Sequence, residues 1–284
     1  MNENTSFGGA LLYDAHMHLY DPVLLAALDQ DKQELPLPKI AIQVVNGTHP
    51  DNWSRIATLL SPHGTRLYKA YGVHPWRVKD LPPDWEKQLR AHLQEDACSV
   101  GEIGLDNWIE PRDEKLQMDI FERQLHIAHE LDLSPTIHCV RAWGLLLDSL
   151  KRGPDFSHGF LSHGFGGSVE VMHQLADMGA YFSFSAYPAD PGRKKMRDAV
   201  RACPADRLLV ETDSPDMVPP ESACRYPLRD AEGQRLHHPA ELATAYRLIA
   251  EWRGEGPQAL AEQVEVNFYR LFRPNPNLKA QGAD

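Results

Sequence analysis

Near the start of the chain, the stretch YDAHMH sets Asp14, His16 and His18 at alternate positions. In an extended strand, residues i, i+2 and i+4 project from one face, so these three side chains share a side. Two imidazoles spaced in this way at a strand end can chelate one divalent metal ion. Further metal-competent residues are spread along the chain: Glu102 in SVGEIGL, His138 in PTIHCV, His163 in GFLSHGF and Asp213 in RLLVETD. A lone histidine beside an apolar run is commonly an ordinary hydrogen-bonded residue. Six metal-competent residues, all at the same end of five separate short runs, point instead to one shared site.

The stretch FSHGFLSHGF, 156 to 165, contains Ser-His-Gly-Phe twice, with His158 and His163 five positions apart. An odd separation puts the two on opposite faces of one continuous strand. His163 lies at the C-terminal end, just before Gly166-Gly167-Ser168 opens the next helical pattern. His163 is therefore the candidate ligand, and His158 is expected in a loop at or before the strand's start.

Positioning these residues requires a particular alternation of elements. Strand patterns are expected near 10–16, 39–45, 67–73, 99–105, 135–140, 159–165, 180–186 and 207–213. Helical patterns are expected at 53–60, 85–94, 114–131, 142–150, 169–178, 194–203, 239–253 and 257–272. The clearest is 114–131, where Leu116, Ile120, Leu125, Ile127 and Ala128 form an apolar stripe between charged residues. Eight strands and eight helical segments is the count of a single-domain (β/α)₈ barrel spanning 1–284, in which catalytic residues gather at the C-terminal strand ends. A doubly wound open sheet competes, but no Gly-rich dinucleotide loop follows the first strand. The segment 214–238 has little periodicity and much proline. A loop this long inside a compact domain is usually functional or disordered, and after the eighth strand it would overhang the barrel mouth.

The bulk properties narrow the function. The chain has 284 residues, 42% of them hydrophobic, and a formal net charge of −11. That charge argues against broad wrapping of nucleic acid, which depends on Lys and Arg neutralising many phosphates. It leaves room for a phosphate gripped locally, because bound divalent ions would be the largest charges in such a site. The four cysteines are scattered without C-x-x-C spacing, which suits reduced thiols in the cytoplasm. No secretory signal or apolar run of membrane-spanning length is expected, and no obligate protein partner is implied.

In order, YDAHMH, YGVHP, VGEIGLD, TIHCVRAW, SHGFGGS and VETDSP resemble the signature of the TatD family of metal-dependent hydrolases. The likeness runs from about Leu12 to Phe272, where NFYRLF is similar to the family's C-terminal helix. It implies a (β/α)₈ barrel with two divalent ions, acting as a deoxyribonuclease or phosphodiesterase on DNA ends or small phosphodiesters. Nitrogen-rich ligation tolerates zinc, manganese or iron, and the sequence does not select among these and magnesium. His16 and His18 would bind the first ion, His138 and His163 the second, and Glu102 would bridge them. Asp213 would bind the first ion and take a proton from the attacking water. His74 would face the substrate phosphate; the plain alternative is a polar side chain bonded near the turn before Pro75. Asp14 is read as support beneath the histidines rather than a ligand.

Departures from the family pattern concern substrate preference. The sixth-strand histidine is followed by Gly164-Phe165-Gly166-Gly167 rather than a Ser-bearing run. Cys139-Val140 precede Arg141, a candidate substrate contact, where many members have H-S-R. The family's N-x-P is His237-His238-Pro239 here. Arg225, Arg229 and Arg235 in the long loop are candidates for phosphate contact or for solvated surface.

An amidohydrolase-type enzyme acting on a small ester, lactone or amide is the main rival reading. Such barrels also begin with H-x-H, yet commonly bridge their metals with a carboxylated lysine at the fourth strand, where this sequence offers Glu102. A PHP-type phosphoesterase would need a further late D-x-H motif, and ETDSP does not supply it. A non-enzymatic scaffold would not require so complete a ligand set.

Overall fold

The computed structural model describes residues 7–31, 35–61 and 65–273. Eight parallel strands run in sequence order around a barrel: β1 (Leu12–Met17), β2 (Ile40–Asn46), β3 (Arg66–Tyr71), β4 (Ala97–Asp106), β5 (Ser134–Val140), β6 (Phe160–Ser162), β7 (Ala180–Phe184) and β8 (Leu208–Val210). Helices α1 (Pro22–Gln30), α2 (Pro50–Ala57), α3 (Trp85–Asp96), α4 (Glu114–Glu130), α5 (Trp143–Arg152), α6 (Val169–Asp177) and α7 (Lys194–Ala202) lie between strands, and α8 (Leu242–Arg253) and α9 (Pro257–Leu271) close the chain. Both faces of the strands are covered, the outer by helices and the inner by the barrel's own side chains, so β1 and β4 are buried along their whole length.

The seam between β8 and β1 is closed beyond the end of β8. Asp213 N donates to His16 O at 2.9 Å and His18 N to Ser214 O at 2.7 Å. Asp14 fastens the same seam, accepting from Thr212 N at 3.0 Å and Thr212 Oγ1 at 2.7 Å. The same carboxylate accepts from His16 N at 3.3 Å.

Helix α4 does more than bury an apolar stripe. Asp113 caps it by accepting from Leu116 N. Gln117 and Gln124, two turns apart, clamp two strand ends. Gln117 accepts from Asp106 N and donates to Asp106 O, and Gln124 makes the same pair of bonds with Val73. On the opposite side, α9 packs Phe268 against Tyr13 with ring centroids 5.1 Å apart, and Asn267 Nδ2 donates to Ala205 O and Leu208 O.

Three expectations need correction. Helix α1 has no counterpart among the expected helices, although Asp21 caps it from the side chain and Pro22 occupies its first turn. Strands β6 and β8 are three residues each, so His163 and Asp213 lie beyond the ends of their strands and Glu102 lies in the middle of β4. The loop after β8 is not without structure: β9 (Leu228–Arg229) and β10 (Arg235–Leu236) pair as a short antiparallel hairpin.

Candidate metal centre

The barrel brings seven side chains together at its C-terminal side. His16 Nε2, His18 Nε2, Glu102 Oε2 and Asp213 Oδ1 converge on one point. The two imidazole nitrogens are 3.3 Å apart, Glu102 Oε2 is 3.5 and 3.3 Å from them, and Asp213 Oδ1 is 3.4 and 3.5 Å from them. A tetrahedron of ~2.1 Å metal–ligand bonds has edges of ~3.4 Å, so this donor set fits one divalent ion. The other oxygen, Glu102 Oε1, faces a second set: His163 Nε2 at 2.8 Å, His138 Nδ1 at 3.0 Å and His74 Nε2 at 3.3 Å. One carboxylate thus divides its two oxygens between two clusters of donors.

Local hydrogen bonds select the tautomers that leave lone pairs pointing inward. His18 Nδ1 donates to Asn46 O at 2.8 Å, which leaves Nε2 as the acceptor. His138 Nε2 donates to Asp106 Oδ2 at 3.0 Å, which frees Nδ1. His74 behaves differently: its Nδ1 accepts from Trp76 N at 3.2 Å, so Nε2 carries the proton and points at the site. His74 therefore both caps the turn at Pro75 and faces the centre. Its burial pushes it down to about 4, so the ring is neutral near pH 7.

The electrostatics are those of a site that attracts cations. Burial opposes charge on Glu102, but His74, His163, His138 and His16 hold it well below the usual carboxylate range. Asp213 is likewise held below its ordinary value, against burial, by His16 and His18. Asp213 also sits in the left-handed region at φ +58°, which is uncommon for a residue other than glycine; the bond to His16 O enforces it.

Two residues of this arrangement have no role in the sequence reading. Asp106, at the end of β4, accepts from His138 Nε2, from Trp76 Nε1 at 2.8 Å and from Trp108 N at 2.6 Å. Glu211 accepts from Gly164 N at 2.7 Å and from Ser183 Oγ at 2.5 Å, with Oε2 3.9 Å from His163 Nδ1. Burial pushes Glu211 up to about 8. Both stand inside quoted motifs, GEIGLD and VETD, and a carboxylate next to a strand end was the available signal.

A cavity of about 510 Å³ opens over this centre, lined by Tyr20, Trp76, Arg77, Val140 and Met217 together with the candidate ligands at its floor. Pro215 and Asp216 also line it, so the loop after β8 does overhang the mouth. Arg141, Arg225, Arg229 and Arg235 are not among the residues that line this cavity. Arg225 is exposed and outside the lining, its backbone N held by Glu241. Arg229 and Arg235 donate to Gly233 O and Pro219 O within the loop. Arg141 lies over the Trp108 ring at 3.9 Å. His158 precedes β6 at the other end of the barrel, 3.4 Å from Asp132 Oδ2.

A barrel with H-x-H at the end of β1, a divided carboxylate on β4 and histidines on β5 and after β6 defines a metallo-hydrolase. Comparison with known proteins is more specific. Residues 13–273 match the family of TatD-related DNases. A metal-dependent hydrolase of Bacillus subtilis, YabD, is 30% identical over 93% of this chain and all of its own length. The 3′-5′ ssDNA/RNA exonuclease TatD of Citrobacter koseri is 32% identical over 77% of this chain and 83% of its own. The crystal structure of YjjV, a TatD homologue from Escherichia coli, superposes with a TM-score of 0.77 at 25% identity, covering 92% of this chain and 97% of that one. This chain belongs to the TatD family of metal-dependent hydrolases.

Proposed function

We propose that this protein is an exonuclease that removes nucleotides from the ends of single-stranded DNA or RNA, using two divalent ions. The observation that supports this best is the division of Glu102 between two donor sets beneath His74 Nε2–H. One ion would be held by His16, His18 and Asp213, the other by His138 and His163, with Glu102 shared. Ions so held supply Lewis acidity and a water acidic enough to be deprotonated near neutral pH. Asp213, its second oxygen outside the tetrahedral set, takes the proton of the attacking water. His74, neutral and protonated on Nε2, donates to a phosphoryl oxygen, and the net positive centre favours the charge that develops there.

Kinship with the Citrobacter enzyme supports a 3′-5′ direction. The chain acts as one catalytic domain, and its four free cysteines suit the reducing cytoplasm; among the described residues no helix is long and apolar enough to cross a membrane. The test is hydrolysis of a 5′-labelled single-stranded oligonucleotide with added Mg²⁺ or Mn²⁺, with Asp213→Asn as control. A ladder shortening from the 3′ end, absent in the variant, is expected. An intact strand with metal-loaded wild type would overturn the nuclease reading and favour a small ester or amide substrate, which the net charge of −11 also suits.

A further inference from the structure

We propose that Trp76 and Trp108 form a stacking platform for the unpaired bases of the substrate strand, at the rim beside the metal centre. The proposal rests on the nuclease reading for its choice of ligand and deepens it by naming how a single strand is held. Tryptophan is normally largely buried, yet Trp76 is 53% and Trp108 62% exposed. Neither is loosely placed. Both hang from Asp106, itself 1% exposed: Trp76 Nε1 donates to Oδ2 at 2.8 Å, and Trp108 N to Oδ1 at 2.6 Å. The Trp76 ring is thus fixed through its own Nε1, and the Trp108 backbone is fixed at the same carboxylate; a ring held in place loses little further freedom when a ligand binds it.

Their position is tied to the chemistry. The Trp76 ring lies edge-on to His74 with centroids 5.0 Å apart, and 6.5 Å from His138. Trp108 carries the Arg141 guanidinium 3.9 Å above its ring. Arg141 follows β5 directly after the cavity-lining Val140, in the left-handed region at φ +54°. An indole paired with a guanidinium plane is the type of surface on which nucleobases stack.

The charges make such a platform necessary. Among the residues lining the cavity, Arg77 is the one permanent cation, and it lies 3.4 Å from Asp51. Asp21 and Asp216 line the same cavity. With a net charge of −11, the protein has little with which to grip a run of phosphates, so affinity beyond the scissile group must come from the bases. A duplex hides base faces; a single strand offers them, and each stacked base is worth about a tenfold gain in affinity.

The test compares two hydrolysis-resistant phosphorothioate strands of equal charge on the metal-loaded full-length protein: a six-nucleotide single strand and the same backbone with abasic sugars. Dissociation constants and tryptophan quenching are read for wild type, Trp76→Ala, Trp108→Ala and Trp108→Phe. The base-bearing strand is expected to bind at least about tenfold tighter and to quench fluorescence. That ratio should shrink severalfold in each alanine variant and largely survive in Trp108→Phe. Equal binding of the two strands, or a ratio unchanged in both alanine variants, would overturn the proposal. Trp108 makes no side-chain hydrogen bond among the described contacts, so its loss should not disturb the fold. Base-selective binding without cleavage of an unmodified strand would sink the nuclease reading and leave the platform standing; cleavage without base selectivity would do the reverse.

Discussion

Asp106 Oδ2 lies 3.0 Å from His138 Nε2, while His138 Nδ1 lies 3.0 Å from Glu102 Oε1. The ring is therefore held between two carboxylates, and the outer one decides which nitrogen faces the centre. Burial disfavours the imidazolium, but bonds to Asp106 and Glu102 outweigh it and raise His138 to about 9. Asp106→Asn removes the charge that orients the ring and makes it basic. Metal affinity should fall by about 10- to 100-fold, measured by competition against a chelator of known affinity. An unchanged affinity would mean that Asp106 serves only the two tryptophans.

Asp213→Asn keeps the side chain's shape and the backbone bond to His16 O, so the barrel seam should survive. Hydrolysis should fall by at least about a hundredfold, because the proton acceptor for the attacking water is lost. Turnover of the labelled oligonucleotide and a far-ultraviolet circular dichroism spectrum, taken together, check this. Wild-type turnover in the folded variant would exclude Asp213 from the chemistry.

The twin histidines give a contrast within one short segment. His163 Nε2 is 2.8 Å from Glu102 Oε1, whereas His158 makes one long contact with the exposed Asp132. His163→Ala should lose metal, read by elemental analysis, and with it activity. His158→Ala should keep most of both, with stability changed by no more than about 1 kcal/mol. Equal losses would reverse the assignment.

What was legible in the sequence follows from what a local pattern can encode. His16 and His18 announce themselves because a two-residue period needs no tertiary information. His138, His163 and Asp213 follow once each short run is read as a barrel strand. The carboxylates of Asp106 and Glu211 were visible beside strand ends, but their roles were not, because their partners, His138 on β5 and Ser183 on β7, are set by register between strands. Gln117 and Gln124 were hidden for a related reason: an apolar stripe says where a helix packs, not which polar groups on the buried face clamp a strand end. Helix α1 escaped because PVLLAALDQ has no polar face to reveal a period, although Asp21-Pro22 is a sound helix start. Arg225 illustrates a different limit, since charge in a loop near the mouth does not determine which way the loop directs it; here the residue lies outside the cavity lining.

Backbone crowding beside the centre yields a prediction of opposite sign at two glycines. Gly104 has φ +150°, and a Cβ there would sit 2.0 Å from His138 O. Gly104→Ala must displace the β5 backbone that carries His138, so it should cost more than about 1 kcal/mol and weaken metal binding. Gly144, inside α5, has open space around its Cβ position. Gly144→Ala should stabilise by roughly 0.5 kcal/mol without touching activity. Urea unfolding and chelator competition measure both, and a stable, fully metal-binding Gly104→Ala would contradict the crowding argument.

His237 predicts how the metal-free protein responds to acid. It is fully buried at the end of the long loop; Nδ1 donates to Asp216 O at 3.0 Å, and Nε2 has no partner among the described residues. Burial lowers it from its usual 6.5 to about 4, against the raising influence of Glu241 and the Asp216 carbonyl, while neighbouring His238 lowers it further. The folded protein thus keeps this ring neutral in a range where the unfolded chain protonates it. As pH falls from about 6.5 to about 4, the unfolded state binds the extra proton, and His237 alone removes stability at up to about 1.4 kcal/mol per pH unit. Below about 4 both states are protonated and the loss levels off. His237→Asn, the residue of the family's N-x-P pattern, can keep a donor near Asp216 O without a titrating group. Its urea midpoint, relative to wild type in chelator-treated protein, should rise as pH is lowered from 7 to 4.5. His74, shifted in the same direction, retains part of the acid sensitivity, so the slope should shallow rather than vanish. Parallel midpoint curves for the two proteins would show that His237 is charged in the folded state after all.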